Sequence, residues 1–298
     1  MLKKSFILAL ETSSRIGSVA IACGENLLAE ATFSGPLRHS PETFPAISSL
    51  LERFGKKPHE IEHIYISAGP GSFTGLRIAV TIAKTMHLAN ATKIVAVDSL
   101  DVIAANVITL IPDNAPCDLH HEPRATSHEP QATGHEPQAT SHERPAASYE
   151  KIAAILDAKR NQFFIAVYEC LHSGYTVQSL TEHRTSSINK PITNYQSPIT
   201  NHGIWQKILP DSLMSAPEFL KNFAAGDQPI WLLGDGLLFH KDKFKADGVR
   251  FLDEKYWRPR AEKVHLLGWQ LAQSGQFADP LTLTPNYLLR PDIKIKPR

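Results

Sequence analysis

ISAGPGSFTGLRIAVTIAKTMHLA, residues 66–89, reads as a strand, a glycine turn and a helix in immediate succession. The apolar run closes at Ser67, Gly69, Gly71 and Gly75 surround the turn, and Ser72 or Thr74 stands where a helix N-cap belongs. The spacing predicts a helix over residues 74–89. Such a turn can cradle an anion, because exposed amides and the helix dipole favour a phosphate at a helix N-terminus. The stretch is neither Walker A, which needs Gly-Lys-Ser/Thr, nor the dinucleotide pattern GxGxxG. Two readings therefore stand: a phosphate loop, or a purely structural turn. The helix itself is apolar on more than one side. Leu76, Ala79, Val80 and Ala83 form one stripe and Ile78, Ile82 and Met86 another, so it is covered twice, by its own sheet and by a further helix or a partner. Gly75, Ala79 and Ala83, four apart, let another backbone approach closely.

Outward from this unit, period-two apolar runs predict strands at 6–10, 18–22, 27–33, 64–67 and 94–97, and helical spacing predicts a second helix at 42–54, with Phe44, Ile47, Leu51 and Phe54 on one face. Three strands followed by strand and helix alternation give an α/β protein with mixed sheets. The pattern resumes after residue 147, with strands expected at 151–156, 162–168, 175–180 and 230–233 and helices at 216–223 and 261–274. A three-strand opening in each half points to an internal duplication. Between the halves lie four heptads, HEPRATS, HEPQATG, HEPQATS and HERPAAS. A proline in every heptad forbids a continuous helix and no apolar position recurs, so 112–148 is expected to be a disordered linker between subdomains 1–111 and 149–298. A seven-residue echo, PITNYQS then PITNHGI, occupies 191–204 and is expected on the surface.

The 298 residues carry 31 Lys+Arg against 30 Asp+Glu and are 42% hydrophobic, the composition of a soluble globular chain with room for about two domains. The near-neutral total argues against nucleic-acid binding by counterion release alone. Yet the linker holds 2 of the basic and 6 of the acidic residues, which leaves 29 against 24 in the remaining body. Cys23, Cys117 and Cys170 form no CxxC pair and suit a reducing, cytoplasmic setting. The run from Phe6 stops at Glu11, which fits a buried strand better than a secretion signal, and no stretch approaches the ~20 apolar residues of a membrane span.

HEIEH at 59–63 satisfies the zincin expression HExxH, but Pro58 and the strand from Ile64 leave at most one helical turn, so no metal site is expected there. Glu11 ends the first strand ahead of the small hydroxyl residues Thr12, Ser13 and Ser14. It either faces a nucleotide phosphate or is internally bonded. Asp98 and Asp157, at strand ends, either serve chemistry or cap turns.

LALETSSRIGSVAI (8–21), RHSPETFPAISSLL (38–51), SAGPGSFTGLRIAVTIAKTMHLA (67–89), LDAKRNQFFIAVYE (156–169) and PNYLLRPDI (285–293) together resemble the TsaB, or YeaZ, family of accessory proteins in tRNA N6-threonylcarbamoyladenosine synthesis. The resemblance implies an actin-like ATPase (ASKHA) duplicated fold. It implies no catalytic residue and no cofactor of the chain's own, a heterodimer with a TsaD-like catalytic subunit, a TsaE-like ATPase alongside, tRNA met through the complex, and a homodimer when the chain is alone. On it, Phe44, Ile47, Leu51, Leu76, Val80 and Ala83 are expected at or near the partner interface. Glu11, Thr12, Gly69, Gly71, Ser72, Thr74 and Gly75 are expected around any weakly bound ATP or ADP. Competing expectations are an independent ATPase or kinase using Glu11, Asp157 and the 69–75 loop, a metallopeptidase through HEIEH, and a tRNA contact through the basic tail 290–298.

Overall fold

The computed structural model describes residues 4–36, 38–108, 150–170, 205–226 and 228–288. The linker heptads, the strand expected at 175–180, the echo at 191–204, Cys117 and the basic tail lie outside them.

The first half builds a five-stranded sheet from β1 (Phe6–Glu11), β2 (Ser18–Cys23), β3 (Asn26–Thr32), β4 (His63–Gly69) and β5 (Lys93–Asp98), in the order β3-β2-β1-β4-β5. β1, β2 and β3 form an antiparallel meander, whereas β4 and β5 run parallel to β1. Helix α1 (His39–Arg53) lies over β2 and β3, and α2 (Phe73–Asn90) over β4 and β5 with α1 beside it. After β5 comes α3 (Ser99–Ile108).

The second half repeats the plan. β6 (Lys151–Lys159), β7 (Gln162–Cys170), β8 (Trp205–Met214), β9 (Ile230–Leu233) and β10 (Val249–Phe251) give the order β10-β9-β6-β7-β8. Again the first three strands are antiparallel and the last two parallel to the first. Each sheet thus has the same order and the same directions, the duplication expected from the two openings. The third strand of the second meander is β8, further along the chain than the 175–180 stretch. α4 (Ala216–Phe223) and α5 (Ala261–Gln273) complete the fold.

All six residues of β1 are buried because both faces of the sheet are covered, and a strand covered twice reads as a continuous apolar run. Leu8, Leu10, Ile64 and Ile66 face the layer with Ala79, Val80 and Ala83 of α2, while Ile7, Ala9, Tyr65 and Val97 face a second core. That second core is filled from α3 and α5. α5 follows the second sheet in sequence, yet packs on all five strands of the first. Gly268 permits this approach, since a Cβ there would stand 2.6 Å from the Tyr65 ring. α3 meets β4 and β5 on one side and β6 and β7 on the other.

No helix among the described residues is long and apolar enough to cross a membrane.

Candidate functional site

The two meanders bring their first hairpins to face each other. Around them lies a cavity of about 480 Å³, lined from the first half by Ser13, Ser14, Arg15, Gly71, Ser72, Phe73 and Thr74 and from the second by Asp157, Lys159, Arg160, Asp235, Asn286 and Tyr287, among others. Of the seven residues expected around a nucleotide, Gly71, Ser72 and Thr74 reach this cavity. Glu11, Thr12, Gly69 and Gly75 sit behind it.

Glu11 is fully buried. Its carboxyl accepts hydrogen bonds from the Ser13 amide and hydroxyl, both at 2.6 Å, and a very short one from the Ser67 hydroxyl. Burial outweighs these bonds and raises its pKa to about 7. Thr12 donates its hydroxyl to the Gly75 carbonyl at 2.7 Å. The glycine turn is equally occupied. The Ser72 amide donates to the Ser13 carbonyl at 2.7 Å, and Ser72 caps α2 by accepting from the Gly75 amide at 3.3 Å. A Cβ at Gly75 would lie 1.8 Å from the Thr12 carbonyl oxygen, and one at Gly71, where φ is +157°, 2.4 Å from that of Ser13. Gly69, at φ +122°, is crossed by the backbone of Asn286, whose amide bonds the Ala68 carbonyl. These glycines serve close passage of the first hairpin and the C-terminal segment.

The opposite hairpin turns through Arg160 and Asn161, both with positive φ, the geometry of a two-residue turn matched to strand twist. Asp157 accepts from the Lys159 amide at 2.8 Å and pairs with the Lys159 ammonium at 2.6 Å. Burial pushes its carboxyl up, but these Lys159 contacts outweigh that and hold it below the ordinary range. Asp235 is buried, accepts from the Arg15 amide at 3.0 Å, and is raised to about 6 by desolvation. Sequence reasoning missed Asp235. Its signal, GDG after an apolar strand at 230–233, mirrors the GPG that follows β4.

Asp98 caps α3 by accepting from the Leu100 amide at 2.8 Å. With Asp101 and Asp211 it surrounds the buried Lys207 ammonium, at 3.3, 2.9 and 2.6 Å respectively. The Tyr168 hydroxyl donates to Asp101 at 2.6 Å. Burial works against the lysine's charge, but the three carboxylates hold it firmly protonated, while burial beside Asp211 pushes Asp98 up.

The other expected sites separate. HEIEH is split between a 3₁₀ turn, Pro58–Glu60, and strand β4: Glu60 bonds Lys56 and the Lys57 amide, and His63 is buried against Tyr65. Of the six expected interface residues, Ile47, Leu51, Leu76, Val80 and Ala83 are buried within the chain's own layers, because the α2 stripe through Leu76 and Ala83 is the one turned to the sheet. Phe44 alone is presented, 62% exposed on α1.

Two like-built mixed sheets with facing hairpins define a duplicated α/β protein. A family model described as TsaD, tRNA N6-adenosine threonylcarbamoyltransferase, matches residues 34–118. The tRNA threonylcarbamoyladenosine biosynthesis protein TsaB of Bacillus subtilis (strain 168) is 24% identical over 286 residues, 95% of this chain and 93% of that protein. A tRNA N6-adenosine threonylcarbamoyltransferase of Tropheryma whipplei (strain Twist) is 32% identical over 111 residues, 32% of this chain and 28% of that protein. Among solved structures, YeaZ from Pseudomonas aeruginosa has a TM-score of 0.61 at 18% identity, covering 95% of this chain and 100% of that one. The chain is thus similar to TsaB over nearly its whole length, and to the TsaD family model over residues 34–118.

Proposed function

We propose that the chain is a non-catalytic subunit in the biosynthesis of tRNA N6-threonylcarbamoyladenosine, supporting a TsaD-like transferase in a cytoplasmic heterodimer. A TsaE-like ATPase acts alongside, tRNA is met through the assembly, and the chain pairs with itself when alone. The observation that supports the supporting role is the internal use of the first hairpin: the Glu11 carboxyl, the Thr12 hydroxyl and the Ser72 and Gly75 amides bond one another's segments, not the cavity. Groups spent in this way hold the shape of the loop. The α1–α2 layer suits a partner, with Phe44 at 62% exposure on a face where Ile78 and Met86 are half-buried.

The test is reconstituted threonylcarbamoyl transfer to tRNA by the TsaD-like and TsaE-like proteins, with and without this chain. Transfer that needs the chain, while the chain alone is inert, is the expected result. ATP turnover by the isolated chain would favour the independent ATPase instead. Phe44→Glu is expected to weaken association about tenfold or more, in the range of an exposed aromatic anchor, with an unchanged melting temperature. Unchanged sedimentation of the mixture would remove Phe44 from the interface.

A further inference from the structure

The cleft mouth carries a feature that the reading above leaves unused: arginines laid on exposed aromatic rings. The Arg15 guanidinium stands 4.6 Å from the centre of the Phe239 ring, and Phe239 is 67% exposed. The Arg77 guanidinium stands 4.9 Å from the centre of the Phe73 ring, which is 39% exposed and lies 5.1 Å from Tyr287. Arg15, Phe73 and Tyr287 all line the cavity, as does Arg160 at the tip of the opposite hairpin. Among the described residues neither Arg15 nor Arg77 forms an ion pair with a carboxylate. Of the two acids of the cavity, Asp157 pairs with the Lys159 ammonium, and the buried Asp235 accepts from the Arg15 amide and feels the Arg15 charge without pairing with its guanidinium.

We propose that this rim is a docking site for an unpaired RNA strand, its bases stacking on Phe239 and Phe73 and its phosphates meeting Arg15, Arg77 and Arg160. Exposed aromatic faces interleaved with cations are the surface that single strands use, since every base has a face to stack and every linkage a charge to neutralise. The rim favours a strand over a free nucleotide because it holds two separate arginine–aromatic pairs, and Phe239 lies outside the enclosed volume. The charge of the body outside the heptad linker, 29 basic against 24 acidic residues, has the sign such a ligand needs. The inference deepens the reading above by giving this chain its own contact with the RNA.

The experiment is fluorescence anisotropy of a labelled single-stranded oligoadenylate of about 12 nucleotides, long enough to span a stacking groove, titrated with the full chain. Affinity is expected to fall with salt, with a slope of roughly −0.7 per phosphate contacted. Phe239→Ala and Phe73→Ala should each weaken binding about tenfold, whereas Arg15→Ala and Arg77→Ala should each reduce the salt slope by roughly 0.7. Leu88→Ala, removing an 82% exposed side chain at the far end of α2, should change nothing. Melting curves on each variant confirm that the fold is retained. Binding that is indifferent to all four rim substitutions overturns the proposal. So does complete displacement of the RNA by ATP with the same sensitivity to the rim, which would make a free nucleotide the occupant. The transfer assay separates the two readings: if transfer needs the chain but the rim variants bind RNA normally, only this inference fails. If transfer never needs the chain, the supporting role fails whatever the rim binds.

Discussion

At Glu11 burial and hydrogen bonding pull in opposite directions. Three donors from Ser13 and Ser67 favour the carboxylate, desolvation favours the acid, and desolvation wins by enough to place the pKa at about 7. Since the folded value lies above the ordinary 4.5, the folded state binds the proton more tightly than the unfolded chain. That contribution to stability is fully present below about pH 4.5 and is lost as the pH rises through 7. At roughly 1.4 kcal/mol per pH unit of displacement the loss is of order 3 kcal/mol. Glu11→Gln fixes the neutral form. Its melting temperature relative to the natural chain is therefore expected to climb between pH 5 and pH 8, and parallel curves would show that the carboxylate is not strained. Sequence alone left Glu11 between facing a phosphate and bonding internally. Both readings use the same residue types, and the decision rests on Ser67, 56 residues away, which no local pattern connects to it.

At the scale of elements, Lys207 on β8 ties the start of α3 to the second sheet. One ammonium among Asp98, Asp101 and Asp211 satisfies more acid than it can neutralise, so removing it leaves buried carboxylates facing one another. Lys207→Met is expected to cost about 3–5 kcal/mol in urea unfolding at neutral pH, and progressively less as the pH falls and protonation of the raised Asp98 relieves the repulsion. A pH-independent loss would mean that packing, not charge, is what Lys207 supplies. α3 itself escaped the sequence reading for a physical reason. SLDVIAANVI is buried at all ten positions, so it has no polar face and hence no 3.6-residue period to detect. β8 escaped because WQKILPDSLM contains Pro210 and is only half-buried at most positions, a strand that among the described residues pairs with β7 alone. β1 to β7, β9, α1, α2, α4 and α5 were legible because each carries a continuous apolar run, an alternation or a stripe, and most strand and helix ends fall within one or two residues of the expected ones.

At the scale of the molecule, chain order and packing order disagree. α5 comes last among the helices, yet it covers the first sheet, with the His265 imidazole bonded to the Gly24 carbonyl at 2.9 Å and the Ala261 amide to the Ser18 hydroxyl at 2.8 Å. α3 fills the space between the sheets from the other direction. The first half therefore lacks one face of its sheet until the second half has delivered α5, and neither half has a complete core by itself. Unfolding is expected to be one cooperative transition, although the topology is that of two repeats. The tryptophans report on it well: Trp205, Trp231 and Trp257 belong to the second sheet and its loops, and Trp269 on α5 lies against Gly24 of the first sheet, whereas far-UV circular dichroism averages over both halves. Coincident fluorescence and dichroism curves are expected in urea. Gly268→Val, which drives a side chain into the Tyr65 ring, should move both curves together to lower denaturant by about 1–3 kcal/mol. In a Trp269→Phe background, where the remaining tryptophans all lie in the second half, separation of the two curves with fluorescence unmoved by Gly268→Val would mean that the second half stands alone and that α5 is a cover for the first sheet but not a clasp between the two.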